Sequence, residues 1–248
     1  MIAVIDSGSG GVNVIKEFLK HYKADFVYLV DNKNCPYGNK PKRALKEIIL
    51  QNIDFLLKNY SIDFIIIGCN TASSILDYVD LEKIKCPVLK TYPNLKKLVN
   101  SCGNKLLFAT KNTIKNSNYV KYFLLNYSDI KTLYIKNLPK LIDDKIADNC
   151  GIYSKNIKKI LKKHLFFNKM LKKTNKKQNF VALGCTHFKH IKNDILKVFK
   201  NNAKFFYCEE QVALTSKLLI KKSKSNFKID VVLTKKDDKL QNAIKAMF

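Results

Sequence analysis

The sequence predicts an α/β protein of two similar domains, each a parallel-type sheet flanked by helices, with an active site in the cleft between them. Three observations support this fold class. Short apolar runs typical of buried strands alternate with segments of helical apolar spacing. The alternation restarts near the middle of the chain. In each half one apolar run ends in Gly-Cys, within DFIIIGCNTAS at 63–73 and NFVALGCTHF at 179–188.

The first half contains four predicted strands with helices between them. IAVID is a short strand that runs into SGSGG, and residues 12–22 then show helical spacing. DFVYLVD is the second strand, and the polar loop NKNCPYGNKP separates it from a helix over 43–59. The strand ending at Cys69 leads into a helix from about residue 72. CPVLKTY is the fourth strand, and its Pro87 suits a strand start.

The second half repeats this pattern. KLLFATK is a strand followed by a helix from about residue 117, and DIKTLYIKN is a strand followed by a helix over 153–173. That lysine-rich helix could lie on a membrane surface, but its apolar positions fit better the buried side of a helix covering a sheet. NFVALGC is the next strand, HIKNDILKVFK the next helix, and FKIDVVLTKKDDKLQNAIKAMF closes the chain as strand then helix.

These elements predict a first domain over residues 1–95 and a second over 96–208, with 209–248 packing back on the first. A chain of 248 residues is long enough for this division. No apolar run approaches the roughly 20 residues that span a bilayer, and the N-terminus lacks the features of a signal peptide. We therefore expect a cytoplasmic protein that does not enter a membrane.

The net charge of +26 invites a nucleic-acid interpretation. Nearly all of it is lysine, however, and Arg43 is the only arginine, whereas readers of phosphates and base edges use arginine heavily. A solvated lysine surface is the better interpretation, and we expect no nucleic-acid partner. The seven cysteines are scattered and form no CxxC, which fits neither a disulfide framework nor a zinc cluster. Except at 69 and 185, we expect packed structural thiols.

Four polar clusters fall at the predicted carboxyl ends of strands, where open α/β sheets bind ligands. They are Asp6-Ser7-Gly8, Pro36-Tyr37-Gly38, Cys69-Asn70-Thr71 and Cys185-Thr186-His187. The first three belong to the first domain and the fourth to the second. A ligand between the two domains would contact all four.

The two strand-end thiols allow several chemistries. Each precedes a predicted helix start, which favours a thiolate. Cys185 and His187 could form a nucleophile pair, but that leaves the matching setting of Cys69 unexplained. A metal site needs three or four ligands, and two thiols and one histidine are a thin set, so we expect no metal. Two thiols on opposite faces of a ligand suit the inversion of a stereocentre, with Asp6 and His187 assisting. No nucleotide signature is complete, and the reaction is expected to need no cofactor.

DSGSGG, CPYG, GCNTAS and GCTHF, in this order and spacing, resemble the glutamate racemases of the cofactor-independent aspartate/glutamate racemase superfamily. The resemblance extends from residue 1 to about 190. It implies interconversion of L- and D-glutamate, which supplies D-glutamate for peptidoglycan. It also implies that Cys69 and Cys185 are the paired acid/base residues. Substrate contact or assistance is implied for Asp6, Ser7, Tyr37, Gly38, Asn70, Thr71, Thr186 and His187.

The chain departs from the family pattern at three places. Asp143 stands at the position of a usual glutamate, Gly68 replaces a more usual alanine, and Tyr207-Cys208-Glu209 replaces a usual Asp-Ser-Gly stretch. Two alternatives stay open: a racemase or isomerase of the same superfamily acting on another small acid, and a lysine-rich nucleic-acid-binding protein. The sequence also leaves a homodimer open.

Overall fold

The computed structural model describes residues 1–148, 151–167, 178–216, 219–220 and 226–248. Two parallel sheets form its framework. The first has the order β4-β3-β1-β2-β9 and the second the order β6-β5-β7-β8. The first-sheet strands are β1 (Ile2–Asp6), β2 (Phe26–Val30), β3 (Phe64–Ile67), β4 (Val88–Lys90) and β9 (Ile229–Leu233). The second-sheet strands are β5 (Asn104–Ala109), β6 (Ile130–Leu133), β7 (Asn179–Gly184) and β8 (Ala203–Tyr207). The predicted fold class is confirmed.

Helices cover both faces of each sheet. Up to β4 they are α1 (Gly11–Leu19), α2 (Lys42–Asn59), α3 (Asn70–Ile75) and α4 (Tyr78–Glu82). Around the second sheet they are α5 (Leu95–Val99), α6 (Lys111–Asn116), α7 (Asn118–Asn126), α8 (Leu138–Asp148), α9 (Gly151–Phe167) and α10 (Lys192–Val198). The chain ends with α11 (Glu209–Ser216) and α12 (Asp238–Lys245). No helix in the described ranges is long and apolar enough to cross a membrane.

The first sheet is buried on both faces, which explains its nearly continuous apolar strands. Val4 of β1 packs with Phe18 of α1 and Ile244 of α12 on one face. Ile5, the next residue, packs with α2 and α3 on the other face. Successive side chains of a strand point to opposite faces, so IAVID can supply both cores. Full burial of such a side chain stabilises the fold by about 1.5–3 kcal/mol.

The second sheet is built in the same way. Phe108 of β5 faces α8, α9 and α10 and stacks on Phe188 with ring centroids 4.2 Å apart. Leu107, its neighbour, faces α5 and α7 instead. β5 and β7 therefore end side by side with both faces covered, and the segments that follow them emerge at one edge. This edge places Thr110 and Cys185 towards the first sheet.

Several elements differ from the sequence-based expectation. The strand expected over DIKTLYIKN is only Ile130–Leu133, and CPVLKTY contributes only Val88–Lys90. The strand β8 and the helices α5, α6, α8 and α11 were not predicted. The last residues of the helix expected over 153–173 lie outside the described residues. The final strand pairs with β2, and α11 contacts α1 and β4, so the end of the chain returns to the first sheet.

Candidate active site

The loop after β1 lies where the two sheets meet, and its glycines permit close approach. A methyl group on Gly8 would overlap with Asp143 Oδ2 and lie 2.5 Å from His187 Nε2. A methyl group on Gly10 would lie 2.7 Å from His187 Nδ1. The Tyr28 hydroxyl fixes the loop from below, because it donates to Gly8 O and accepts from the Gly11 N–H at 3.0 Å. The glycines of SGSGG therefore let Asp143 and His187 of the second domain pack directly against the backbone of this loop.

Cys69 ends the β3 segment and caps α3 with an extended backbone. Its side chain is buried, with 3% of the residue exposed. Burial raises the pKa of the thiol to about 12, and the negative charges of Asp6 and Cys185 add to the rise. The Ala72 N–H, which hydrogen-bonds the sulfur, opposes the rise only in part. Cys69 is consequently a protonated thiol at neutral pH.

Cys185 has the corresponding position in the second sheet. It follows β7 and precedes a 3₁₀ helix over Thr186–Ile191. Its sulfur lies 3.8 Å from His187 Nδ1, within hydrogen-bonding distance for sulfur. Both side chains are buried. Consecutive residues after β7 thus place the Cys185 thiol and the His187 imidazole next to each other.

His187 is held between two carboxylates. Its Nε2 lies 3.3 Å from Asp143 Oδ2, and its Nδ1 lies 3.9 Å from Asp6 Oδ1. Burial lowers the pKa of His187, but the charge and hydrogen bond of Asp143, the hydrogen bond with Cys185 and the charge of Asp6 together outweigh burial. The pKa therefore lies well above its usual value. Burial likewise opposes ionisation of Asp143, yet the His187 charge and hydrogen bonds from Ser9 lower the pKa of Asp143. The pair is therefore an imidazolium and a carboxylate.

Asp143 also ties the second domain to the loop after β1. The Ser9 N–H donates to Asp143 Oδ1 at 3.0 Å, and the Ser9 hydroxyl donates to the same oxygen at 2.5 Å. The other oxygen, Oδ2, accepts from the Cys35 thiol at 3.6 Å and contacts His187. Two separate elements of the first domain thus converge on one side chain of α8. Aspartate, although shorter than glutamate, reaches His187 directly.

Asp6 forms a second link between the domains. Its Oδ2 accepts from the Thr186 hydroxyl at 2.8 Å, and its Oδ1 accepts from the Gly8 N–H at 3.3 Å. The Ser7 hydroxyl donates to Oδ1 at 3.5 Å. Burial raises the pKa of Asp6, while the His187 charge and the Thr186 hydrogen bond lower it. The net direction is upward, so Asp6 holds its proton more firmly than an exposed aspartate.

Three threonine hydroxyls meet where the first domain faces the start of α6. Thr71 Oγ1 lies 2.7 Å from Thr110 Oγ1 and 3.4 Å from Thr113 Oγ1, and the last two are 2.9 Å apart. Gly38 packs against this group, because a methyl group there would lie 2.9 Å from Thr110 Cβ. This hydroxyl cluster combines one residue from the strand end of the first sheet with two that follow β5.

The ring of Tyr37 has a structural role. Its hydroxyl donates to Asp31 Oδ2 at 2.6 Å, and Asn52 Nδ2 lies 3.2 Å from the same hydroxyl. Its carbonyl accepts from Asn112 Nδ2 at 3.1 Å. The ring therefore anchors the loop that carries Gly38.

Asn70 is directed into the site by a thiol. Its Nδ2 donates to Cys208 Sγ at 3.1 Å, and Cys208 in turn donates to Glu209 Oε2 at 3.3 Å. Glu209 is buried and paired with Lys189 Nζ at 2.5 Å. Asn70 Oδ1 is buried and has no hydrogen-bond partner among the described residues. A buried amide oxygen of this kind calls for a donor.

The structure brings the sequence-predicted residues together at the facing edges of the two sheets, with Tyr37 anchoring the loop that carries Gly38. Sequence reasoning missed further members of the site. They are Ser9, Cys35, Thr110, Thr113 and Cys208, whereas Asp143 had been singled out through its match to the position of the family glutamate. Thr110 and Thr113 belong to ATKNT at the end of a predicted strand, which was a usable signal. The two cysteines were expected to be structural thiols, and nothing in the local sequence indicated their contacts with Asp143 and Asn70.

Comparison with known proteins identifies the family. No family model matches the sequence. A glutamate racemase of Clostridium botulinum (strain Langeland) is 33% identical over 207 residues, which cover 82% of this chain and 76% of the relative. The chain belongs to the glutamate racemase family. The family resemblance predicted from the four motifs is thereby confirmed, as is the prediction of an amino-acid racemase, an isomerase.

Solved glutamate racemases have the same fold. The enzyme of Aquifex pyrophilus is 27% identical and aligns over 99% of this chain and 94% of its own, with a TM-score of 0.74. The Escherichia coli glutamate racemase, solved with L-glutamate and the activator UDP-MurNAc-ala, aligns over 99% of this chain and 94% of its own with a TM-score of 0.82. At 21% identity this second likeness concerns the fold.

Proposed function

We propose that this glutamate racemase family member interconverts L- and D-glutamate by a cofactor-independent, two-base proton transfer at Cα, with Cys69 and Cys185 as the catalytic residues. One observation carries the assignment. Two buried thiols, each at the end of a central strand of its own sheet, lie close enough for the charge of one to raise the pKa of the other. Family membership supports glutamate as the substrate.

In the L-to-D direction, Cys185 as thiolate removes the proton from Cα, and the electron pair moves into the neighbouring carboxylate. Cys69 then donates its thiol proton to the opposite face of Cα. Cys185 ends as a thiol and Cys69 as a thiolate, and proton exchange with solvent resets both. The raised pKa of Cys69 suits this direction, because the thiol is protonated before the reaction begins. His187 stabilises the thiolate of Cys185 from 3.8 Å.

We assign the substrate ammonium to Asn70. Its Oδ1 is buried without a partner among the described residues, and a protonated amine would supply the missing donor. Cys208 sets this orientation. Its own proton goes to Glu209, so its sulfur can only accept from Asn70, and the amide nitrogen of Asn70 must face the sulfur. Cys208 is therefore a positioning residue, and the carbonyl end of Asn70 is left for the substrate.

We assign the carboxylates of the substrate to neutral donors. Thr71 presents a hydroxyl from the threonine cluster, and Ser7 can turn its hydroxyl to the substrate from its long 3.5 Å hydrogen bond to Asp6. Backbone N–H groups around Gly38 add donors that cannot lose their protons. Thr186 already donates to Asp6, so its contribution is to fix Asp6 beside His187. Neutral donors hold a carboxylate without adding a titrating group to the site.

The wider role follows from the family. We propose that the enzyme acts in the cytoplasm and supplies D-glutamate for peptidoglycan, and a homodimer remains a prediction. We also keep the division into domains over 1–95 and 96–208 as a proposal, which the separate sheets and the pairing of β9 with β2 support. A nucleic-acid-binding function is not favoured, because the four motifs are accounted for by the racemase family.

The direct test compares the wild type with Cys69→Ser and Cys185→Ser. Each protein is incubated with L-glutamate, D-glutamate, aspartate or a hydantoin, and the enantiomers are separated by chiral chromatography. We expect the wild type to racemise glutamate alone and both variants to lose racemisation. Each variant should retain slow proton exchange on the enantiomer served by its remaining thiol. Wild-type turnover by either serine variant would overturn the two-thiol assignment, and preference for another acid would overturn the substrate.

A further inference from the structure

Three side chains at the domain boundary have the geometry of a zinc site. Cys35 Sγ lies 3.6 Å from Asp143 Oδ2, and His187 Nε2 lies 3.3 Å from the same oxygen. All three atoms are within 4.8 Å of one another. Zinc bond lengths of about 2.3 Å to sulfur and 2.0 Å to nitrogen or oxygen imply tetrahedral edges of about 3.5 Å for sulfur to oxygen and 3.3 Å for nitrogen to oxygen. The observed sulfur-to-oxygen and nitrogen-to-oxygen distances already match these two values.

We propose that Cys35, Asp143 and His187 bind Zn²⁺, and that this binding inhibits the enzyme. The ligand types, one thiolate, one carboxylate and one imidazole, suit a borderline-soft cation and are poor for Mg²⁺ or Ca²⁺. Three protein ligands leave the fourth position to water. Tetrahedral geometry requires about 3.5 Å between Cys35 Sγ and His187 Nε2, so these atoms have to approach by at most about 1.3 Å, which a half-buried side chain on a loop can supply.

The surroundings of the three ligands favour the ion. Asp143 Oδ1 is held by two donors from Ser9, so Oδ2 is left to face the metal. His187 Nδ1 lies 3.8 Å from Cys185 Sγ and 3.9 Å from Asp6 Oδ1, so a carboxylate, the type of group that orients a metal-binding imidazole, is close to the second ring nitrogen. On binding, the cation displaces the Cys35 thiol proton and the His187 Nε2 proton into solvent. The net charge of the group stays zero, so the buried site does not gain an uncompensated charge.

Inhibition has two causes, and this part of the proposal rests on the proposed racemase function. Zinc on Nε2 replaces the proton that makes the ring an imidazolium, so His187 is no longer a protonated cation beside the Cys185 thiolate. Zinc also joins a first-domain loop to two second-domain side chains. Because Asp6, Cys69 and Cys185 are all buried, the domains have to part before glutamate can enter. A bond between the domains at this edge opposes that opening.

Metal binding is measured on the full chain after treatment with a chelator. Titration with Zn²⁺ against a chromophoric chelator should give one tight site per chain. Cys35→Ser should weaken that site at least about tenfold, whereas Cys102→Ser, at an exposed thiol, should bind as the wild type does. Co²⁺ in place of zinc should show a thiolate-to-metal charge-transfer band, absent in Cys35→Ser. Cys35→His should keep binding but lose that band.

Activity supplies the second measurement. Zn²⁺ should inhibit wild-type racemisation reversibly, with recovery on adding EDTA, and Mg²⁺ should not inhibit. Measured against its own metal-free activity, Cys35→Ser should require at least about tenfold more Zn²⁺ for half-inhibition than the wild type requires. Equal binding and equal inhibition of wild type and Cys35→Ser would overturn the proposal and place zinc on other thiols. Zinc binding by a chain without racemase activity would instead refute the proposed function and leave the site standing.

Discussion

Replacing Asp143 by asparagine tests how His187 is kept charged. The substitution keeps the shape of the side chain, and an amide oxygen can still accept from Ser9. It removes the carboxylate whose charge is the largest of the causes that raise the pKa of His187. The amide nitrogen then faces Nε2, which must become an acceptor, so His187 is neutral with its proton on Nδ1 towards Cys185. Cys185 keeps a hydrogen-bond donor but loses a positive neighbour.

The size of the effect follows from the geometry. Two unit charges 3.3 Å apart attract by roughly 5 kcal/mol at an effective dielectric constant of about 20. Asp6 remains 3.9 Å from the ring, but burial raises the pKa of Asp6, so it replaces the lost charge only in part. General acid–base assistance contributes ~10²–10⁴-fold. We expect kcat/KM to fall by ~10²-fold, at the low end, because the Nδ1 donor survives.

Kinetics in both directions across pH provide the assay. The equilibrium between enantiomers cannot change, so kcat/KM must fall equally for L- and D-glutamate. The imidazolium now forms only at lower pH, so the basic limb of the kcat/KM profile should move towards acid. Asp144→Asn, which alters an exposed pair with Lys140 on the same helix, is the matched control and should change neither quantity. Unchanged kcat/KM with an unmoved basic limb would refute the reasoning.

Three other substitutions probe the buried imidazolium, the glycine loop and the tyrosine anchor. The pKa of His187 is raised in the folded state above 6.5, so protonation of this residue stabilises the fold most below about pH 6.5. His187→Asn should therefore lower the stability most below about pH 6.5 and less at higher pH. Thermal unfolding across pH measures this difference. A loss that grows with pH would contradict this. Gly8→Ala should lower kcat/KM more than about tenfold, because the methyl group would overlap with a second-domain carboxylate. The control is Gly68→Ala, whose methyl group would lie 3.2 Å from a valine side chain. Its stability should stay within about 1 kcal/mol of the wild type. If Gly68→Ala lowered kcat/KM as much as Gly8→Ala does, the argument that Gly8 permits close approach of the second domain would be wrong. Tyr37→Phe should cost about 1.5–3 kcal/mol in urea unfolding, since the 2.6 Å hydrogen bond to a carboxylate is lost, while KM for glutamate is unchanged. A raised KM with unchanged stability would place the ring at the substrate.

The sequence allowed prediction of the sheets and of the residues at strand ends for one physical reason. In a parallel sheet covered on both faces, strands are continuous apolar runs, and they end where polar residues begin. Cys69 and Cys185 stand at such ends, so their neighbours Asn70 and His187 could be placed with them. The same logic fails for β8, which follows α10. Its residues are only partly buried or exposed, so the strand is not a continuous apolar run. A short strand at the edge of a sheet leaves a weak pattern.

The contacts across the cleft could not be predicted because they depend on how two domains pack. Asp143 lies on α8, a helix absent from the prediction, and its link to Ser9 spans 134 positions. Cys208 reaches Asn70 across 138 positions. The family resemblance marked both positions as departures, but neither residue has a local signal of its contacts, because a carboxylate or a thiol on a helix or strand end is ordinary. The glycines of SGSGG were noticed, but their reason, a close approach by His187 and Asp143, belongs to the other domain.

The isotope of the hydrogen that newly formed D-glutamate carries at Cα tests the central claim most directly. Wild-type enzyme and L-glutamate are mixed in deuterated water, and both enantiomers are analysed by mass spectrometry during the first tenth or so of conversion. With Cys185 removing protium from one face and Cys69 donating solvent-derived deuterium to the other, D-glutamate should carry deuterium at Cα from the start. The remaining L-glutamate should stay protiated, and optical rotation should overshoot its equilibrium value before returning. Protium at Cα of the early D-glutamate would mean that one base returns the same proton, and the assignment of two thiols to opposite faces would be wrong.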